Sequence, residues 1–375
     1  MLRMRRGLSR GLTTLTRALA PRPTLLGLRH HPSLRCSHNA SALSFAEHLL
    51  ISSTGSLAPR QLNEAIHKAP SLSSLLRIFS QHMDDYDKHH LVNTWKQVGR
   101  LATATSSNTA RTKHESELAA LRKQTEAMLP ALDDRGLTSV GHGLARSRLK
   151  GSEWNVLWAE LATEVSGRLG DFESQSFSML VWSFATGGYT SPRLFDRLAA
   201  EAERRVGQLS PQSVANIAWA FPTMGHAAPQ LFDALAIEAE RLLADFKPQE
   251  LANLAWAFAK AGHLAPKLFD ALAAEAKGRL ADYKPQELAN TAWAFATLGH
   301  PAPLLFDALA IEMESRLDLF NPQELANTTW AFAVLDQPCA AVCGATMVRH
   351  IDGIPPTGWS VQNLTQLHQA RRRSP

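Results

Sequence analysis

The 375-residue chain is 45% hydrophobic and 19% charged, which is ample for a globular or solenoid core and typical of soluble chains. No apolar run approaches the roughly 18–20 residues of a membrane span, and three cysteines are too few for a disulfide framework. The net charge of +5 sits at one end: residues 1–44 hold eight Arg and no acid, leaving 31 basic against 34 acidic residues. The basic character therefore belongs to the leader and is no nucleic-acid signature of the body.

In the leader, Leu2, Leu8, Leu12, Leu15 and Leu19 share roughly one helical face, and Arg3, Arg5, Arg6, Arg10 and Arg17 supply charge. An Arg-rich, acid-free amphipathic N-terminus without a long apolar stretch is the kind that organellar import reads. Residues 1–40 are thus expected to be a largely disordered presequence addressing the mitochondrial matrix, with the chloroplast stroma as the alternative. Processing is expected near Arg35-Cys36-Ser37, so that Cys36 leaves with the leader. Residues 41–134 are expected to form an irregular helical region with a degenerate repeat. SLSSLLRIFSQHM and HHLVNTWKQVGRLA both carry apolar residues at 3–4 spacing, and Leu91-Val92-Asn93-Thr94-Trp95 resembles a motif that follows, one residue short. A loop rich in Ala, Ser and Thr (102–112) then leads to a charged helix ending near Leu129.

From residue 135 to 356 the chain repeats. Trp182, Trp219, Trp256, Trp293 and Trp330 stand 37 residues apart, within LSPQSVANIAWAFP, FKPQELANLAWAFA, YKPQELANTAWAFA and their kin. A fixed period between roughly 20 and 50 residues marks a solenoid. The expected fold is all-α, an α-solenoid of tandem αα-hairpin repeats over 135–171, 172–208, 209–245, 246–282, 283–319 and 320–356, followed by a short C-terminal tail, 357–375. Each repeat divides into two helices. Helix A opens on Pro211, Pro248, Pro285 or Pro322, where a missing N–H costs nothing. Ser210 and Asn321 are good N-caps and Lys247 and Lys284 poor ones. Helix A closes at Gly225-His226, Gly262-His263 or Gly299-His300, Gly being suited to a left-handed cap. Helix B opens on Pro192, Pro229, Pro266 or Pro303, and loops of about four residues make A and B antiparallel neighbours.

Spacing assigns the core of the Trp293 repeat to Leu288, Ala289, Ala292, Trp293, Phe295 and Ala296, with Leu305, Phe306, Leu309 and Leu317 from helix B. The Trp is read as a packing residue. The opposite side of helix A is expected to hold Glu287, Asn290, Thr291, Ala294 and Thr297. No phosphate-cradling glycine loop, kinase signature or nucleophile elbow is present. His226, His263 and His300 lie one repeat apart and are read as caps acting on the helix dipole, not as metal ligands. Cys339 and Cys343, four apart with no Cys/His pair nearby in zinc spacing, are read as buried thiols. No catalytic site, metal, cofactor or small-molecule substrate is expected, so the chain is read as a non-enzyme.

With P-Q-E-L-A-N-T-A-W-A-F-A at this period, the array resembles the octotricopeptide repeats of algal organelle proteins and is similar to the repeats of FAST-kinase-like mitochondrial proteins. Residues 359–369 look like the L-x-Q-L-H-Q segment that precedes a RAP domain there, a domain this chain is expected to lack. The resemblance implies sequence-selective binding of single-stranded organellar RNA, in processing, stability or translation, possible partners including other RNA-processing proteins. It implies bases laid along the inner helices. The positions that carry this over are Ser213, Asn216, Lys247, Glu250, Asn253, Lys260, Lys284, Glu287, Asn290, Thr291, Thr297, Glu324, Asn327 and Thr328. Among them, columns that vary between repeats (Ser213/Glu250/Glu287/Glu324 and Ile217/Leu254/Thr291/Thr328) are expected to read bases. The near-invariant Asn column is expected to form an inter-repeat ladder or a uniform backbone contact. Against RNA stands the charge of residues 172–336, 12 Lys/Arg to 19 Asp/Glu, since phosphate neutralisation supplies most nucleic-acid affinity. Placement of Glu201, Glu203, Glu238, Glu240, Glu312 and Glu314 on an outer helix B would relieve it. The alternative is a protein–protein scaffold in an organelle.

Overall fold

A computed structural model describes residues 57–102, 114–335 and 350–373; the expected presequence and all three cysteines lie outside them. The fold is an all-α solenoid of helical repeats, with no strand among the described residues. It comprises two compact units that divide after Arg205.

In the first unit, four hairpins pair α1 (Pro59–Lys68) with α2 (Leu72–His82), α3 (Lys88–Ala102) with α4 (Glu115–Met128), α5 (Asp134–Ser147) with α6 (Ser152–Gly167) and α7 (Ser174–Gly187) with α8 (Pro192–Arg204). The odd-numbered helices pack side by side as an A row, and the even-numbered ones form a B row behind them. Close approach within the A row follows from small residues. A Cβ at Gly143 would collide with the Trp95 carbonyl of the neighbouring α3. Trp95 is itself fully buried and donates its indole N–H to Thr125 Oγ1 at 2.9 Å.

The second unit repeats the plan with α9 (Pro211–Thr223), α10 (Pro229–Arg241), α11 (Pro248–Ala261), α12 (Pro266–Lys277), α13 (Pro285–Leu298), α14 (Pro303–Glu314), α15 (Pro322–Val334) and α16 (Val361–Arg373). Helices α9, α11, α13, α15 and α16 follow one another as the A row, and α10, α12 and α14 form the B row. The A helices start as their sequence dictates. Ser210 Oγ accepts from Ser213 N–H at 3.2 Å and Asn321 Oδ1 from Glu324 N–H at 3.0 Å. Lys247 and Lys284 cap nothing with their side chains. There the residue three positions on compensates: Glu250 and Glu287 reach back to accept the Lys247 and Lys284 N–H groups at 2.9 and 2.8 Å. The helices end on Gly262 and Gly299 at φ 67° and 64°, the left-handed cap that glycine adopts without a Cβ penalty.

Packing of B against the next A is aromatic. Phe232 meets Phe258 and Phe269 meets Phe295 edge-on, with centroids 4.9 Å apart in both pairs, and Phe306 meets Phe332 at 5.1 Å. Buried side chains of this size are each worth roughly 1.5–3 kcal/mol. That stabilisation exists only while a neighbouring repeat covers them.

Two further devices pin the joints. The ring of His263 bonds Asp233 Oδ1 on the preceding B helix at 2.9 Å, and His300 bonds Asp270 likewise at 2.9 Å. This corrects the expected dipole role: the backbone N–H of each His closes the A-helix cap on Phe258 or Phe295, while the ring works between repeats. At the far end of the B helices an Arg donates to carbonyls of the preceding turn. Arg205 reaches Phe172 O at 2.6 Å and Leu169 O at 2.9 Å, and Arg168, Arg279 and Arg316 act similarly. Leu242 occupies this position in the intervening repeat.

Candidate nucleic-acid interface

Within each unit an inner A helix has an A helix on either side and a B helix behind, so only a narrow stripe of it faces outward. In α9, α11 and α13 the stripe follows the i, i+4, i+7, i+11 spacing of one helical face. Gln212, Asn216, Trp219 and Thr223 form it first; Gln249, Asn253, Trp256 and Lys260 follow, then Gln286, Asn290, Trp293 and Thr297. Each of these residues is half-buried or exposed, and the residues between them are buried except Glu250, which is half-buried. In α15 the series is Gln323, Asn327, Trp330 and Val334.

The repeated Trp is therefore not a core residue, which corrects the sequence expectation. Its ring lies half-buried on the open stripe. The indoles of Trp219 and Trp256 stack with centroids 6.5 Å apart at 29°, and those of Trp256 and Trp293 lie 6.4 Å apart at 30°. The core is made instead by its neighbours, among them Leu288, Ala292 and Phe295.

Of the varying columns expected to read bases, Ile217/Leu254/Thr291/Thr328 is turned inward, as are Ser213 and Glu287, while Glu250 and Glu324 are half-buried. Ser213, Thr291 and Thr328 are 2%, 3% and 0% exposed and Glu287 is 8% exposed. Thr291 and Thr328 satisfy their hydroxyls on the carbonyls of Glu287 and Glu324, each at 2.8 Å, which makes burial tolerable. Ala294 is buried too. Glu250, Glu287 and Glu324 spend their carboxylates on the starts of their own helices. The outward set that sequence reasoning named is thus Asn216, Asn253, Asn290, Asn327, Lys260 and Thr297, with Lys247 and Lys284 exposed at the helix starts.

The Gln column and the Trp column went unrecognised as members of this face. Their signal was the Q-x-x-x-N-x-x-W spacing itself, whose hydrophobic member was assigned to the core on polarity alone. Within the described residues no hydrogen bond engages the carboxamides of Gln212, Gln249, Gln286, Asn216, Asn253 or Asn290. In α15 they are engaged: Gln323 Nε2 donates to Asn327 Oδ1 at 3.0 Å and to Gln366 Oε1 of α16 at 3.4 Å. An Asn-to-Asn bond joins neighbouring repeats only in the first unit, where Asn93 Nδ2 donates to Asn63 Oδ1 at 2.9 Å.

The same stripe in the first unit is cationic. Helix α3 presents His89, Asn93, Lys96 and Arg100, and α5 presents Arg135, Ser139, His142 and Arg146. Arg135 pairs with Glu173 at 3.2 Å, which strengthens its hold on its proton. Burial, and then the charge of Arg146, push His142 below the ordinary histidine range, so its ring is neutral near pH 7. That ring lies 5.6 Å from Trp182 on α7, where Gln175, Met179 and Thr186 complete the stripe.

None of these stripe positions holds an Asp or Glu in α3, α5, α7, α9, α11, α13 or α15. The acidity of residues 172–336 lies largely on the B helices, where Glu201 and Glu238 pair with arginines of their own helix and Glu312 with Arg316 just past the end of its helix. The expected separation of charge is thus present. Among the described residues there is no cluster of potential metal ligands, and no helix is long and apolar enough to cross a membrane. In the second unit such a face offers planar rings and amide donors and acceptors, and in the first unit it offers cations.

The model of one protein family, described as RNA-editing substrate-binding complex 6 protein, matches residues 83–353. No curated protein matches the chain.

Proposed function

We propose, from the premise that this chain belongs to the RNA-editing substrate-binding complex 6 protein family, that it is a non-enzymatic RNA-binding protein that holds single-stranded RNA along the open stripes of its A helices. The observation that carries this is the stripe itself: free carboxamides alternating with indoles, and no carboxylate. Single-stranded RNA offers unstacked bases to aromatic rings and base edges to amides. In the first unit Lys96, Arg100 and Arg146 supply phosphate contacts. The leader composition and the motif's likeness to octotricopeptide and FAST-kinase-like repeats support action on organellar transcripts, in processing, editing, stability or translation. They favour the mitochondrial matrix, with the chloroplast stroma as the alternative.

The test is binding of single-stranded RNA to the full chain across a salt series, with a Trp256→Ala/Trp293→Ala variant alongside. Base–aromatic stacking is worth about 1–3 kcal/mol per base, so the variant should bind at least tenfold more weakly while keeping its helical content. Equal binding by parent and variant would sink the proposal, as would no binding by the parent at low salt.

A second reading rests on a separate observation. Ile237 on α10 and Leu304 and Ile311 on α14 are large apolar side chains exposed on the B row. The family's description also names a complex. Contacts with other RNA-processing proteins belong to that row and are compatible with RNA on the other.

A further inference from the structure

The stripes of α9, α11 and α13 carry the same three side chains in the same order, Gln, Asn and Trp, and no internal hydrogen bond engages their six carboxamides. Other A helices differ. In α15 the amides bond one another, and in α7 Met179 takes the place of the Asn. A discriminating array needs different side chains at different steps. Here three successive steps present one chemistry. The indole centroids are 6.5 and 6.4 Å apart, close to twice the roughly 3.4 Å rise of stacked bases. A strand laying one base on each indole therefore advances one nucleotide per repeat.

Resting on the RNA-binding reading above, we propose that α9, α11 and α13 recognise a run of one repeated base in single-stranded RNA. In each step the base stacks on the indole, and the Asn and Gln carboxamides take its edge with one donor and one acceptor apiece. Because the three steps are alike, the base preferred at one is preferred at all.

The experiment compares binding of the full chain to short single-stranded RNAs of one repeated base each, and to a strand of the same length in mixed order. One hydrogen-bonded base choice discriminates roughly fivefold to a hundredfold. One repeated-base strand should therefore bind at least about tenfold tighter than the mixed strand and than the other repeated-base strands. A single mismatched base in the middle of the preferred strand should weaken binding, and Gln249→Ala/Asn253→Ala should make the chain indifferent to that mismatch, since both side chains that read the step are gone. Equal binding of all strands overturns the inference and leaves the RNA-binding reading standing. A preference that survives Gln249→Ala/Asn253→Ala/Gln286→Ala/Asn290→Ala also overturns it, by placing the discrimination elsewhere. Failure to bind any strand removes both.

Discussion

The buried Arg205 gives the sharpest test of what joins the repeats. It is 4% exposed, donates to two carbonyls of the preceding turn, pairs with Glu201 on its own helix, and lies over the Phe177 ring at 4.6 Å. Burial makes its charged state less favourable, so these partners must offset its desolvation. Arg205→Ala leaves two carbonyls without their donor, while Glu201 keeps its pair with Arg204. A buried acceptor left unsatisfied costs about 1–3 kcal/mol, so about 2–6 kcal/mol is expected for the two. For a unit of about 150 residues each kcal/mol moves Tm by about 2–4 °C, so a fall of about 10 °C is expected in thermal unfolding followed by circular dichroism. Arg316 makes the comparable bonds, to Leu280 O and Tyr283 O at 3.1 and 3.0 Å, but its side chain is 22% exposed. Water can replace part of what it supplies, so Arg316→Ala should cost less, about 1–3 kcal/mol. A cost under about 1 kcal/mol for Arg205→Ala, or a reversed order of the two variants, would show that Arg205 does not fasten this joint.

Three other outcomes follow from named contacts. Leu242→Arg restores the joint that its neighbours possess, with the carbonyls of Leu209 and Val206 in register; a gain of about 1 kcal/mol in urea unfolding is expected. Gly143→Ala, where a Cβ meets the Trp95 carbonyl, should cost about 1–3 kcal/mol and lower Tm, because backbone cannot step aside as a flexible side chain can. His142 is held below its ordinary range in the fold, whereas the unfolded chain takes up its proton near pH 6.5. Above that value the group does not affect stability; as pH falls through it the unfolded state binds the extra proton and stability declines. Between about pH 7 and pH 5 a His142→Gln variant should therefore lose less stability than the parent, and an equal loss would show that His142 is not the group responsible.

The period, the hairpin plan, the capping by Ser210 and Asn321 and the left-handed glycines were all legible in the sequence, because each rests on local chemistry that repeats. The orientation of helix A was legible only in part. Polarity alone buries Trp293 and exposes Thr291. In the array a helix is covered on three sides, so Ala294 and Thr291 fall between neighbours while Trp293 is left on the rim of the open stripe. Thr291 can be buried because the Glu287 carbonyl takes its hydroxyl, an arrangement that hydrophobicity does not encode. The hairpins before residue 134 lack the P-Q-E-L-A-N phrase, and glycines replace the alanines of α5. Even so, Asn93 does take the Asn position. The Trp95 beside it is turned to the core and Lys96 stands where the later repeats carry Trp, so matching by Trp misplaces the register by one residue.

The joints of the B row in the second unit are fastened at two places. Between α10 and α12, His263 grips Asp233 near one end and Arg279 holds the Phe246 carbonyl at 3.0 Å near the other; between α12 and α14, His300 and Arg316 do the same. A joint held at both ends cannot swivel as one held in the middle can. The array of indoles on the other row is then a comb whose pitch is set from behind. A strand laid across it must adopt that pitch, because the teeth cannot spread independently to meet the strand.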